Sequence, residues 1–246
     1  MNDNDKNTNS ERSEMENDDL ENFIYTISHD LRSPLTAIQG MTQILMEDYE
    51  DLLDKDGRYY LERIDANVKK MESLINDLLK LSRAGRIKSP KEQIESLTMV
   101  SKIIDDISKE EGISNWNIAI DKSLPPVVYD RPALNEVFYN IIKNAVIFMG
   151  DQREPSIEVG YERQDNCVIF HVRDNGIGIE SENIDKIFKV FERVRDIDSK
   201  GNGVGLAFVK KIIEHYGGKI WVESSKGHGS TFYFTIPYME ADLSEI

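Results

Sequence analysis

The chain has 246 residues, of which 39% are hydrophobic and 30% are charged, and its formal net charge is −15. This length accommodates two modest domains of ordinary folded composition, and the acidic balance argues against a nucleic-acid-binding surface, which needs clustered Lys and Arg. The single cysteine, Cys167, excludes an internal disulfide and fits a reducing compartment.

Residues 1–17 are polar, with scarcely any apolar side chain, so we expect a disordered or frayed tail. No apolar run reaches membrane-spanning length, and the N-terminus lacks a basic region followed by an apolar core. We therefore expect a cytoplasmic segment without membrane contact. An upstream sensor or membrane-bound portion remains compatible with this start.

A long helix is predicted from about Leu20 to Leu53, because its apolar residues alternate in steps of four and three and so form a heptad seam. The seam consists of Leu20, Ile24, Ile27, Leu31, Ile38, Met41, Leu45 and Leu52. His29 falls at an outward heptad position, which argues against the ordinary alternative of a buried core histidine. Asp30 is placed to hold the proton of one ring nitrogen. Pro34 predicts a kink one turn later.

A turn is predicted over Asp54–Gly57, with Gly57 as a helix breaker, and a second heptad helix follows. Its apolar positions are Leu61, Ile64, Val68, Met71, Ile75 and Leu78, flanked by Leu74 and Leu81. One antiparallel hairpin cannot bury both stripes, so the sequence favours a homodimeric four-helix bundle. The alternative is a core packed on the C-terminal half.

The segment 84–90 contains Gly85 and Pro90 and predicts an interdomain linker. Beyond it the periodicity changes to mixed helices and strands, which indicates an α/β sandwich. Helices are predicted at Leu97–Glu111, Arg131–Met149 and Val204–Tyr216, and extended segments at Asn117–Ile120, Pro125–Tyr129, Ser156–Tyr161, Cys167–Arg173, Lys219–Glu223 and Thr231–Ile236.

Three glycine-bearing segments lie in this second half. Asp174–Ile179 follows a strand, so Asp174 is presented at the strand end, where a carboxylate can read an exocyclic amine. Gly201–Leu206 opens a helix, whose free N–H groups suit a phosphate chain. Gly227–Thr231 is the weakest of the three, since such tracts are usually hairpin turns. None matches a P-loop or a Rossmann turn.

Asn140 and Asn144 stand four residues apart in a predicted helix and therefore share a face. An amide oxygen can ligate Mg²⁺, which prefers oxygen ligands and keeps waters and substrate phosphates. Helical Asn pairs are usually incidental, so the pair gains meaning only beside the glycine segments.

Taken in order, these motifs make residues 20–238 resemble the catalytic core of a two-component sensor histidine kinase. The matching motifs are a phosphoacceptor box (His29, Asp30, Arg32, Pro34), an Asn box (Asn140, Asn144), a first glycine box (Asp174–Gly178), a phenylalanine box (Phe188, Phe191, Arg193) and a second glycine box (Gly201–Leu206).

The resemblance implies an α+β fold, with a helical hairpin that dimerises into a four-helix bundle and an α/β sandwich ATP-binding domain of the Bergerat type. The implied domains are 18–88 for dimerisation and phosphotransfer and 89–240 for ATP binding, with a short tail at 241–246. Lys189–Lys200 would be a mobile lid over the nucleotide.

By the same resemblance Asn144 is the Mg²⁺ ligand, Asn140 a polyphosphate contact and Asp174 the adenine reader. The expected cofactors are ATP and Mg²⁺, bound by Asn140, Lys143, Asn144, Asp174, Gly176, Gly178, Arg193, Gly201, Gly203, Gly205, Leu206 and Thr231.

Two positions depart from the family pattern. Ile147 stands where a Lys is common, so we expect Lys143 or a lid residue to supply the missing phosphate-facing cation. Ser33 stands where Thr or Asn is usual four residues after the histidine, a position that the family associates with dephosphorylation of the partner.

The implied activity is ATP-dependent autophosphorylation, with His29, Asp30 and Ser33 as catalytic residues. The phosphoryl group would then pass to an aspartate of a response-regulator receiver domain. Two alternatives stay open at this stage: a Bergerat-type ATPase that drives a clamp, and a signalling scaffold without catalysis, which Ile147 keeps in view.

Overall fold

A computed structural model describes residues 26–28, 30–83, 89–190, 192 and 203–238. The chain divides into two compact units, Met1–Arg83 and Ala84–Ile246. His29 and the lid and glycine-box candidates Phe191, Arg193 and Gly201 lie outside the described residues.

The first unit is a helical hairpin. Helix α1 covers residues 26–28 and 30–48 and continues helically through Pro34. A short 3₁₀ turn, Glu50–Leu52, leads to helix α2, Lys55–Arg83. The Asp54 carboxylate accepts a hydrogen bond from the Gly57 amide at 2.7 Å, which caps the start of α2. The predicted turn is therefore wrong at Gly57, because the cap draws this glycine into the first helical turn.

The two helices of the hairpin meet along a row of α1 residues spaced by seven. Ser28, Leu35 and Thr42 are buried, and Leu35 forms a small core with Val68 and Ile75 of α2. The predicted seam flanks this row and is not the contact within the hairpin. Those of its residues that the structure describes remain 38–80% exposed in the single chain: Ile27, Leu31, Ile38, Met41, Leu45 and Leu52. The other two, Leu20 and Ile24, lie outside the described residues.

The second unit is an α/β sandwich, as predicted. Its elements are β1 (Glu92–Ile94), α3 (Ser96–Glu111), β2 (Asn117–Ile120), β3 (Val127–Tyr129), α4 (Arg131–Ile147), β4 (Ser156–Gln164), β5 (Cys167–Asp174), α5 (Gly205–His215), β6 (Ile220–Ser224) and β7 (Ser230–Pro237). The five-stranded sheet has the order β2-β4-β5-β7-β6. Only β2 and β4 run parallel in it, while β1 and β3 form a separate antiparallel pair.

Helix α4 is held against the sheet by an aromatic cluster. Phe138 of α4 meets Phe170 of β5 and Phe234 of β7 edge to face, with ring centroids 5.4 and 5.1 Å apart, and all three side chains are fully buried. Buried aromatic pairs of this kind add stability beyond their area. The Asp130 carboxylate caps α4 by accepting from the amide of Ala133. The helix that carries the Asn pair is thereby fixed relative to the strand that ends at Asp174.

Candidate nucleotide-binding site

Asp174 ends β5 with its side chain on the helix-covered face of the sheet. It is only 7% exposed, and its Oδ1 accepts hydrogen bonds from the amides of Gly176 at 2.8 Å and Ser230 at 3.2 Å. Burial raises the pKa of the Asp174 carboxyl, and the two amide hydrogen bonds oppose this rise. A buried carboxylate with a second oxygen left over is suited to accept from an amine of a bound base.

The first glycine segment packs directly on the end of α4. A Cβ at Gly176 would lie 2.4 Å from the Phe148 carbonyl oxygen, so only glycine fits there. The Ile177 amide donates to that same carbonyl at 3.0 Å. Gly178 has φ +67°, and a Cβ there would lie 2.1 Å from the Ser225 carbonyl oxygen. These contacts bring together the end of α4, the end of β5 and the β6–β7 hairpin.

The Asn pair lies half-buried on α4. The Asn140 amide nitrogen donates to the Glu136 carbonyl at 2.8 Å and to the Glu136 carboxylate at 3.3 Å, while its oxygen accepts no hydrogen bond within the described residues. The Asn144 side chain has no hydrogen-bond partner within the described part of the chain. An uncommitted amide oxygen beside a second amide fits a hard cation such as Mg²⁺.

The start of α5 lies against Asn140. A Cβ at Gly205, the first residue of α5, would come 2.8 Å from the Asn140 side-chain oxygen. Gly203 has φ +72°, and Leu206 is half-buried in the first turn. The unpaired amides of this first turn and the helix dipole favour a phosphate. Of the predicted segment Gly201–Leu206, Gly201 itself lies outside the described residues.

Lys143, the predicted substitute for the missing cation, is engaged elsewhere. Its ammonium group forms ion pairs with Glu111 at 2.6 Å and Glu110 at 2.9 Å, both at the end of α3. Burial tends to lower the pKa of Lys143, but hydrogen bonds to the two carboxylates outweigh it and the pKa is raised. Ile147, one turn further along α4, is half-buried and brings no charge.

The hydroxyl next to Asp174 belongs to Ser230 and not to Thr231. Ser230 pairs with Asp174 across β5 and β7, whereas Thr231 pairs with Arg173 on the opposite face of the sheet. The Ser230 hydroxyl lies 2.9 Å from the Ser224 hydroxyl. The Ser224 hydroxyl also accepts a hydrogen bond from the Ile179 amide. Sequence reasoning missed both serines, although strand alternation counted from Asp174 would have indicated their face.

The phosphoacceptor box lies in the first unit. Asp30 and Ser33 are exposed on α1, and the guanidinium of Arg32 donates to the Asn76 side chain of α2 at 3.0 Å. Their neighbour His29 lies outside the described residues. Phe188 of the phenylalanine box packs partly buried against the core of the second unit.

Two protein families match the two halves of the chain. Residues 19–86 match the His Kinase A (phospho-acceptor) domain, and residues 129–240 match the histidine kinase-, DNA gyrase B- and HSP90-like ATPase. The pair defines the class, a phosphoacceptor domain joined to an ATPase domain. The chain belongs to the two-component sensor histidine kinases and comprises their catalytic core.

The relatives agree with this assignment. The methanogenesis regulatory histidine kinase FilI of Methanothrix harundinacea (strain 6Ac) is 40% identical over 91% of this chain and 25% of its own length. The sensor histidine kinase WalK of Bacillus subtilis (strain 168) is 30% identical over 89% of the chain and 36% of its own length. The chain therefore spans about a quarter to a third of these relatives.

A solved structure matches the fold across both units. The full-length crystal structure of ShkA, in complex with AMPPNP, shares 26% identity at a TM-score of 0.66, over 88% of this chain and 45% of that one. The predicted fold class is thereby confirmed. Within the described ranges, no helix combines the length and apolar character needed to cross a membrane.

Proposed function

We propose that the chain transfers the γ-phosphoryl group of ATP to His29 and passes it on to an aspartate of a response-regulator receiver domain. The convergence of Asp174, Asn140 and the first turn of α5 around helix α4 carries this proposal. Asp30 and Ser33, both exposed on α1, supply its acceptor side, because they belong to the predicted phosphoacceptor box in which His29 directly precedes Asp30.

The ATP site follows from the side chains already described. Asp174 accepts from the exocyclic amine of adenine, while the amides at the start of α5 and Asn140 contact the polyphosphate. Asn144 would hold Mg²⁺, since its amide oxygen is uncommitted among the described residues. When bound there, the cation would supply neutralisation of the charge that develops on the phosphates. The glycines at 176, 178 and 205 keep the backbone close enough for these contacts.

The acceptor chemistry falls to two adjacent residues. One ring nitrogen of His29 attacks the γ-phosphorus, a nitrogen–phosphorus bond forms, and the bond to the bridging oxygen breaks as ADP leaves. Asp30 holds the proton of the other nitrogen and stabilises the charge that develops on the ring. Positioning supplies most of the rate, as is usual in phosphoryl transfer.

The phosphoramidate is a relay state, because the receiver aspartate then attacks the same phosphorus and releases His29. Ser33, exposed on α1 four residues after His29, orients a water molecule that hydrolyses the phosphorylated receiver, which is a separate phosphatase reaction. A Ser33→Ala variant is expected to keep autophosphorylation and to lose that phosphatase activity, measured on the phosphorylated receiver.

A second copy of the chain covers the exposed apolar row of α1 and α2. Ile38, Met41 and Leu45 on α1 and Ile64 and Met71 on α2 are all more than 40% exposed in the single chain. An apolar row of this length beside a filled hairpin contact is typical of a four-helix bundle interface. The proposed assembly is a homodimer.

Incubation with γ-labelled ATP tests the proposed function. Acid-labile, base-stable label is expected on the wild type and on the control His215→Gln, an exposed histidine at the end of α5. Label should be lost in His29→Gln and Asn144→Ala. Robust ATP hydrolysis without bound label would instead indicate a Bergerat-type ATPase, and neither reaction would indicate a scaffold.

A further inference from the structure

Lys143 of α4 is the centre of an ion-pair cluster with the last turn of α3. Its ammonium group contacts the carboxylates of Glu111 and Glu110, and the Tyr139 hydroxyl donates to Glu110 at 3.3 Å. The two acids stand at a helix C-terminus, where the helix dipole disfavours negative charge. Their placement therefore does nothing for α3 by itself, and Lys143 is what compensates them.

The same lysine borders the nucleotide site. It lies three residues after Asn140 and four before Ile147, so its side chain neighbours each of theirs along the surface of α4. Position 147 is where the family pattern supplies a cation, and this chain has an isoleucine there. Lys143 is thus the α4 lysine beside the polyphosphate position, and two of its three ammonium hydrogens are directed to the α3 carboxylates, which neutralise its charge and hold it on the α3 side.

The acid side of the cluster is open to water. The side chains of Glu110 and Glu111 are 57% and 30% exposed, so water screens each ion pair, while the Lys143 side chain is only 16% exposed and its charge depends on an anionic partner. A polyphosphate carries more charge than either carboxylate, so it competes effectively for the ammonium group.

We propose that Glu110 and Glu111 are positioning residues that compete with the ATP polyphosphate for Lys143, so that nucleotide binding is coupled to opening of this α3–α4 ion-pair cluster. The inference rests on the proposed function, because it assumes a nucleotide beside Asn140. A purely structural cluster makes the opposite prediction, since removing its acids would loosen α4 and weaken binding.

Titration of the 246-residue chain with a fluorescent ATP analogue and Mg²⁺ tests the competition. Glu110→Gln with Glu111→Gln is expected to lower the Kd roughly two- to fivefold, the fold-change equivalent to one exposed ion pair. Asp105→Asn with Asp106→Asn is the matched control, because it removes two exposed acids of α3 outside the cluster and should leave the Kd unchanged. In a Lys143→Met background the gain should vanish.

A wild type that binds the analogue while the glutamine pair leaves the Kd unchanged or raises it would overturn the competition and leave the ATP site intact. An equal gain in the Asp105/Asp106 control, or a gain that survives in Lys143→Met, would also overturn it, since a general charge effect would then suffice. If the wild type and Asp174→Asn both fail to bind the analogue, the proposed function itself fails. Thermal melts of each variant show whether folding is retained.

Discussion

At the scale of single residues, local sequence pattern predicts where the candidate side chains lie, but not which neighbours they contact. The position of Asp174 at a strand end and the need for glycine at 176 and 178 follow from local pattern. The choice of Ser230 over Thr231 does not, because adjacent hydroxyls point to opposite faces and only the β5–β7 register decides between them. The engagement of Lys143 depends on α3 residues 32 and 33 positions earlier, a distance that no local pattern spans.

Asp174→Asn tests the adenine contact. The amide retains an oxygen for the Gly176 and Ser230 amides but loses the charge that draws the amine of adenine, so nucleotide affinity should fall by about tenfold or more, or about 1.4 kcal/mol. Isothermal titration with ATP and Mg²⁺ measures this loss. Asp165→Asn, in the exposed turn between β4 and β5, is the control. Unchanged affinity in Asp174→Asn would remove Asp174 from the site.

The same variant has a pH signature in the nucleotide-free protein. Because burial raises the folded-state pKa of Asp174 above its ordinary 3.8, the native state holds this proton more tightly than the unfolded state does. The wild type therefore loses stability relative to Asp174→Asn as pH rises from below 3.8 through the raised folded pKa. Across that interval the melting temperature of the wild type should fall relative to that of Asp174→Asn as pH increases. A constant difference between the two melting temperatures would contradict the burial of the charge.

At the scale of elements, long periodic segments were predictable and short or capped ones were not. Strands β4 and β5 and helix α4 stand close to their predicted bounds, since each has enough residues to display its period. Strand β1 pairs with β3, more than thirty positions away, and has only three residues. Three residues are too few to show the alternation of polar and apolar side chains that predicts a strand. The start of α2 was also missed, because the rule that glycine breaks a helix placed Gly57 in a turn, whereas the Asp54 cap brings it into the first turn of the helix.

The β6–β7 hairpin offers a matched pair of glycine substitutions. Gly227 and Gly229 both have positive φ, but a Cβ at Gly227 meets nothing within 4 Å, while a Cβ at Gly229 would lie 2.0 Å from the Asp174 carbonyl oxygen. Gly227→Ala should therefore cost about 1 kcal/mol of backbone strain. Gly229→Ala should cost several times that, roughly 3 kcal/mol or more, and distort the strand end at Asp174. Chemical denaturation measures both, and equal losses would contradict the close approach.

At the scale of the whole molecule, the sequence predicted an α/β sandwich after a heptad hairpin, and the structure has both. The sequence alone did not indicate which flank of the heptad stripe on α1 faces α2 within the hairpin. That role belongs to the row of Ser28, Leu35 and Thr42, one heptad position away from the predicted seam. A search for apolar residues misses this row, because two of its three members, Ser28 and Thr42, are small and polar.

Met71→Glu tests the homodimer that this exposed seam implies. Met71 is 46% exposed on the seam face of α2, and a charge there would be buried twice in a symmetric interface. The dimer dissociation constant should rise at least about tenfold, measured by light scattering across a dilution series. Ala66→Glu adds the same charge on the opposite face of α2 and should leave the dimer intact. Dimers of equal affinity in both variants would place the interface elsewhere.

The central claim is that His29 receives the phosphoryl group, and site mapping tests it most directly. The 246-residue chain is incubated with ATP and Mg²⁺, digested under basic conditions that preserve phosphoramidates, and sequenced by mass spectrometry. The account predicts one phosphorylated peptide, with the phosphate on His29. Phosphate on His171, His215, His228 or an acidic residue instead, or ATP turnover with no modified peptide, would contradict it.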